Sequence, residues 1–120
     1  MTAWRNFNKL YAHALNQMEE AVTHIEDAAR VFKILSVETR VKMIDLLRQR
    51  SLCVNALART LNISPAAVSQ HLRILRDADV VIAEKRGYFV HYRINEQTLE
   101  RWRETADQIL SPGPGGFLSS

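Results

Sequence analysis

Ten residues in the middle of the chain concentrate its polar chemistry. Ser64, Ser69, Gln70, His71 and Arg73 supply two hydroxyls, a carboxamide, an imidazole and a guanidinium, interleaved with the small residues Ala66 and Ala67. A carboxamide offers a donor and an acceptor side by side, and a guanidinium offers a fork of donors, so this set suits bidentate recognition of a planar edge. Catalysis asks for something else: a nucleophile beside an activating base, a carboxylate pair in a cleft, or a glycine loop that cradles phosphate. The sequence carries none of these, and Gly87 is its only glycine before Ser111. It reads as a binding protein that is not an enzyme and needs no cofactor.

The elements that position those residues must come from a small chain. At 120 residues, 47% hydrophobic and 24% charged, it has the composition of one ordinary globular domain, predicted over residues 1–110 with a flexible tail at 111–120 that opens Ser-Pro-Gly-Pro-Gly-Gly. The longest aliphatic run, Val80-Val81-Ile82-Ala83, is far below the roughly 20 residues of a bilayer span, and no secretory leader is visible, so a cytoplasmic protein with no membrane partner is expected. The lone Cys53 fits a reducing compartment. Net charge is +3, unevenly spread. Residues 36–95 hold ten Lys/Arg against five Asp/Glu, whereas the N-terminal segment is balanced and the C-terminal one acidic. A basic middle points to an anionic macromolecule; a solvated basic face is the competing reading.

Periodicity supplies the frame. Trp4, Tyr11, Met18, Ile25 and Phe32 recur at heptad spacing beside a row of Phe7, Ala14, Ala21, Ala28 and Leu35, which predicts an amphipathic helical stripe. Thr23-His24-Ile25-Glu26 has the form of a capping box, so a break into two helices is expected there. Ser36 is the predicted N-cap of a helix to about Arg50, with Val37, Val41, Met43, Ile44 and Leu47 inward. A short helix follows over Val54–Leu61, and Ser64-Pro65 opens another to Ala78. Val80–Lys85 and Tyr88–Ile94 flank Arg86-Gly87 as a hairpin, and Asn95 caps a last helix with Leu99, Trp102, Ala106 and Ile109 on one face.

The two short helices form a helix-turn-helix candidate. Ala58 permits a close crossing, Asn62 tolerates the positive φ of the turn, and Val68 supplies the buried aliphatic ten residues after Ala58. If such a unit reads double-stranded DNA, Ser64, Ala66, Ala67, Ser69, Gln70, His71 and Arg73 of its second helix face the groove. Gln70 then suits adenine, Arg73 guanine or phosphate, and Lys85 and Arg86 at the hairpin tip meet the adjacent backbone or minor groove. The predicted class is therefore mostly α with a small β-hairpin wing: a winged helix-turn-helix.

From about Ala28 to Ile94 the sequence resembles the ArsR/SmtB transcriptional repressors, dimeric winged-helix proteins of bacteria. The matching residues are Leu35-Ser36 with Thr39-Arg40, Leu52-Cys53-Val54 with Leu57-Ala58, Ser64 through Leu72 with Leu75-Arg76, and Arg86-Gly87 with Tyr92-Arg93. Asp79 stands where the family often has glycine. The resemblance implies a sensing site at a Cys-x-Cys pair, but the tripeptide here is Cys53-Val54-Asn55, with one thiol. A second family site uses Asp and His of the C-terminal helix, where this chain offers Glu100, Glu104 and Asp107 and no histidine. No metal site is expected, and the inducer is open.

His13, and His24 one turn from Glu20, read as exposed pairs more than ligands, His71 as a DNA contact or a packing residue, and His91 as structural. The heptad stripe is either ordinary core or a dimer interface. A small domain cannot cover both terminal helices, so Trp4, Phe7, Tyr11, Met18, Leu99, Trp102 and Ile109 are assigned to a homodimer bound to an inverted-repeat operator. The competing classes are a metal- or thiol-responsive repressor using Cys53 and a winged-helix module for protein contacts alone. Amide and basic groups on the second helix argue against the module.

Overall fold

A computed structural model describes the backbone of residues 2–118 and the side chains of residues 6–118. Helix α1 (Thr2–Leu35) leads into α2 (Glu38–Gln49), strand β1 (Leu52–Cys53), α3 (Val54–Leu61), α4 (Pro65–Asp77), the hairpin β2 (Val81–Arg86) and β3 (Phe89–Ile94), and α5 (Glu96–Leu110). The strands form one antiparallel sheet in the order β1-β3-β2. Among the described residues no helix is long and apolar enough to cross a membrane.

The α1 stripe does not break at Thr23. No proline or glycine interrupts residues 2–35, and the Thr23 hydroxyl donates to the Glu19 carbonyl at 3.0 Å, the back-bond of a threonine inside a helix. A capping box needs Thr23 in extended backbone, and the continuing helix denies it that. Ser36 likewise caps nothing downstream: its hydroxyl donates to the Lys33 carbonyl at 2.7 Å, closing α1, while extended Val37 takes the N-cap place of α2. On α2, Met43, Ile44 and Leu47 are buried as expected, but Val41 is exposed at an open groove that it lines with Phe32 and Leu35 of α1 and Leu99 and Trp102 of α5. Asn95 does precede α5, yet it makes no side-chain cap bond; its backbone N–H donates to the Val80 carbonyl at 2.8 Å.

The core gathers Met43, Ile44, Leu47, Leu57, Val68, Leu72, Leu75, Val80, Val81 and Ile94 from α2, α3, α4 and the sheet. Strand β1 has no counterpart in the sequence reading; it pairs Leu52 with Tyr92 and Cys53 with His91, tying the start of α3 to the wing. Two left-handed residues shape the turns around α4. Asn62 (φ 55°) closes α3, and Asp79 (φ 65°) closes α4. At the second turn the Val80 N–H reaches the Leu75 carbonyl at 2.9 Å and the Asp79 N–H reaches Arg76 at 2.9 Å, a Schellman closure whose apolar pair, Val80 and Leu75, is fully buried.

The ends behave differently. Ala21, Ala28, Val31 and Ile34 of α1 are buried, and this half packs on α5 and α2. Residues 6–20 are exposed throughout. The molecule measures 70 × 32 × 21 Å with a radius of gyration of 20.2 Å; about 14 Å is usual for a compact chain of this length. The tail turns back to α1, where the Phe117 ring stacks on His24 at 5.4 Å.

Candidate nucleic-acid interface

The turn between α3 and α4 is fixed by local bonds. Asn62 and Ile63 both donate their backbone N–H groups to the Ala58 carbonyl, the latter at 3.1 Å, so the left-handed Asn62 ends α3 with that carbonyl doubly hydrogen-bonded. Ser64 then begins α4 as the sequence predicts: its Oγ accepts the Ala67 N–H at 3.1 Å, and Pro65 follows at the first helical position.

Burial of Val68, Leu72 and Leu75 sets the rotation of α4. One face is therefore committed to the core, and Ala66, Ser69, Gln70 and Arg73 project from the other beside Ser64, all exposed. Ala67 and His71 lie half-buried toward the body. Arg40 of α2 donates its Nε–H to His71 Nδ1 at 3.4 Å and its Nη1 to the Ile34 carbonyl at 3.3 Å. Burial first, and then the Arg40 charge, push the His71 imidazole below its ordinary pKa, so the neutral ring accepts at Nδ1 and keeps its proton at Nε2. Of the seven residues assigned to this helix and its cap, five share the exposed row; His71 links α4 to α2.

The wing stands beside that row. A cleft of about 260 Å³ between α4 and β3 is lined by Ser69, Arg73, Arg76 and Tyr92, so recognition helix and hairpin make one continuous face. The hairpin turn is Gly87-Tyr88, one residue beyond the expected Arg86-Gly87, because Arg86 still belongs to β2 and pairs with Phe89. Gly87 has φ 63°, and a two-residue hairpin with a positive first φ reserves that position for glycine. Lys85 and Arg86 are exposed as expected. Arg86 contacts Glu84 at 3.5 Å, while Arg93 holds the same carboxylate at 2.6 Å. That Arg93 hydrogen bond is the main reason the Glu84 carboxyl sits below its usual range.

Comparison with known proteins agrees with this geometry. The family model described as "Bacterial regulatory protein, arsR family" matches residues 38–83, from the first residue of α2 into β2. The transcriptional repressor SdpR of Bacillus subtilis is 37% identical over 70 residues, covering 58% of this chain and 78% of its own. This chain belongs to the ArsR family. A cadmium resistance transcriptional regulatory protein CadC homolog of Staphylococcus aureus is 36% identical over 81 residues, 67% of either chain. Among solved structures, the homodimeric winged helix-turn-helix domain of a possible ArsR-family regulator from Mycobacterium bovis superposes with a TM-score of 0.57 at 27% identity, covering 86% of this chain and 90% of that one. The relatives are transcriptional regulators, not enzymes, and the α3–α4 unit with its wing is the family's DNA-binding winged helix-turn-helix.

Cys53 is half-buried in β1 opposite His91, and the exposed Asn55 opens α3 beside it. Both border an open depression of about 730 Å³ between α3 and the wing, shared with Arg59, Pro65 and Phe89. Within one chain, and among the described residues, no three His, Cys, Asp or Glu side chains converge as a metal set. Of the residues assigned to the dimer interface, Phe7, Tyr11 and Met18 are exposed on α1, with the first two rings stacked at 6.4 Å. Leu99 and Trp102 are half-buried against the core, Ile109 is exposed, and the Trp4 side chain lies outside the described residues.

Two cations beside the exposed row were not assigned from the sequence. Arg76 follows Arg73 by three positions and was legible from helical spacing; Arg59 borders the depression between α3 and the wing only through the tertiary arrangement.

Proposed function

We propose that the protein is a homodimeric transcriptional repressor of the cytoplasm that reads an inverted-repeat operator through α4. The observation that carries this reading is the row Ser64, Ala66, Ser69, Gln70 and Arg73, exposed on a helix whose other face is locked by Val68, Leu72 and Leu75. Gln70 and Arg73 discriminate bases, the hydroxyls and small residues let the helix approach, and Arg76, Lys85 and Arg86 bind phosphate. Ala67 and His71 act from the row's edge, His71 by holding α4 on α2.

The second copy is supported by the exposed apolar side of α1, with Phe7, Tyr11 and Met18, by the half-covered Leu99 and Trp102 with Ile109 on α5, and by the homodimeric relative. A two-fold dimer presents its two recognition helices to major grooves about 34 Å apart. Regulation is independent of the family's metal chemistry, because Asn55 replaces the second thiol and α5 carries no imidazole.

Selection of bound fragments from genomic DNA, followed by titration of a recovered duplex, tests the reading. The expected result is an inverted repeat bound by one dimer, with affinity falling steeply as salt rises and no release by zinc or arsenite. Absence of any selected sequence, or micromolar metal release abolished by Cys53→Ser, contradicts it.

A further inference from the structure

The tip of the wing is aromatic where a phosphate-gripping hairpin would carry only charge. Tyr88 is fully exposed at the turn, and Phe89 is more than half exposed beside it. Of the flanking cations, Arg93 is held by Glu84 at 2.6 Å and Arg86 rests on the same carboxylate at 3.5 Å, leaving Lys85 as the one cation of β2 or β3 outside an ion pair among the described residues.

Resting on the repressor reading above, we propose that Tyr88 is a minor-groove contact, its ring entering the groove beyond each recognition helix and selecting A·T-rich flanks there. Continuity with the DNA-binding face supports this. Phe89 shares a depression with Pro65 at the start of α4, and Tyr92 shares a cleft with Ser69 and Arg73, so the hairpin leaves the body alongside the exposed row. A groove about 6 Å wide excludes a two-stranded ribbon but admits a single ring edge-on. Its walls are apolar sugar faces, and its floor is open at A·T pairs and obstructed at G·C pairs by the guanine 2-amino group. Lys85 and Arg86, just behind the tip, meet the phosphates on either side.

A protein partner fits the same feature less well. Successive strand residues point to opposite faces, so Phe89 and Val90 of β3 do not share one face and cannot both extend an apolar patch from Tyr88. One exposed ring with a single apolar neighbour, beside two cations, is too small for a stable protein interface.

The contact is apolar, so its loss is distinguishable from the loss of a charge. The test uses the full chain and a duplex of about 30 base pairs recovered by genomic selection, long enough to include both wing-facing flanks. Tyr88→Ala is expected to weaken binding about tenfold at every salt concentration without changing the slope of affinity against salt, whereas Tyr88→Phe stays close to the parent. Replacing A·T by G·C at the flanking positions protected from hydroxyl radicals is expected to weaken the parent and leave Tyr88→Ala indifferent. Replacement by I·C, which lacks the 2-amino group, is tolerated by both.

Binding of Tyr88→Ala equal to the parent, an I·C penalty as large as that of G·C, or a loss traced by sedimentation to dissociation of the dimer would each overturn the proposal and leave the repressor reading intact. If the parent itself binds no selected duplex, the repressor reading fails first.

Discussion

The winged-helix body and the N-terminal half of α1 treat apolar side chains in opposite ways. In the body, Met43, Leu57, Val68, Leu72, Leu75, Val80 and Val81 are almost wholly removed from water by their own chain. In residues 6–20 of α1, Phe7, Leu10, Tyr11, Leu15 and Met18 remain exposed along a helix that continues unbroken into the packed segment. The DNA reader thus completes its core within one copy, which fixes the recognition face before any partner arrives. The arm does not, and a helix segment of this length holds little stability by itself in water. Its apolar side is completed by the second copy under the function proposed above.

The sharpest way to break that contrast is to cut into the body. Leu72→Ala, under the exposed row of α4, is expected to cost about 2–5 kcal/mol of unfolding free energy, measured by urea denaturation. An unchanged midpoint would mean that the row is not held by the core beneath it. In the arm, Phe7→Ser with Tyr11→Ser is expected to leave the unfolding of the dilute body nearly unchanged while weakening self-association about tenfold or more in sedimentation across a concentration series. Equal association with the parent would erase the difference between the two regions.

The smallest expected effect lies at the joint between α2 and α4. His71 has its pKa lowered in the fold, so the native state favours the neutral ring and the unfolded chain binds the proton more readily. The stability this provides is present above the ordinary histidine range and is lost as pH falls through the lowered folded value. His71→Gln should flatten the dependence of the unfolding midpoint between about pH 7 and pH 5. A slope as steep as the parent's would place the titrating group elsewhere.

Much of the DNA-reading unit was legible because its signals are local. Ser64-Pro65 starts α4, Asn62 takes the left-handed turn, and β-branched runs on both sides of Gly87 make the hairpin. The bounds of α3 fall on the expected residues. What escaped depends on distant partners. Strand β1 is two residues long, too short for any period, and exists because Tyr92 and His91 lie alongside. The Arg40–His71 bond joins residues 31 apart in sequence. The supposed break at Thr23 shows the converse error: a local motif without a local breaker loses to the continuing helix. Val41 keeps helical phase with the core but borders a groove that α1 and α5 leave open.

Under the function proposed above, base recognition resides in the exposed row of α4. Fluorescence anisotropy of a genomically selected duplex, set against an unrelated duplex of equal length, tests it with the parent, Gln70→Ala and Arg73→Ala. Each substitution should weaken the selected duplex by about 1–3 kcal/mol, narrow the gap to the unrelated one, and leave the unfolding midpoint in place. Parent-like affinity and discrimination in both variants would show that α4 is not the reading element.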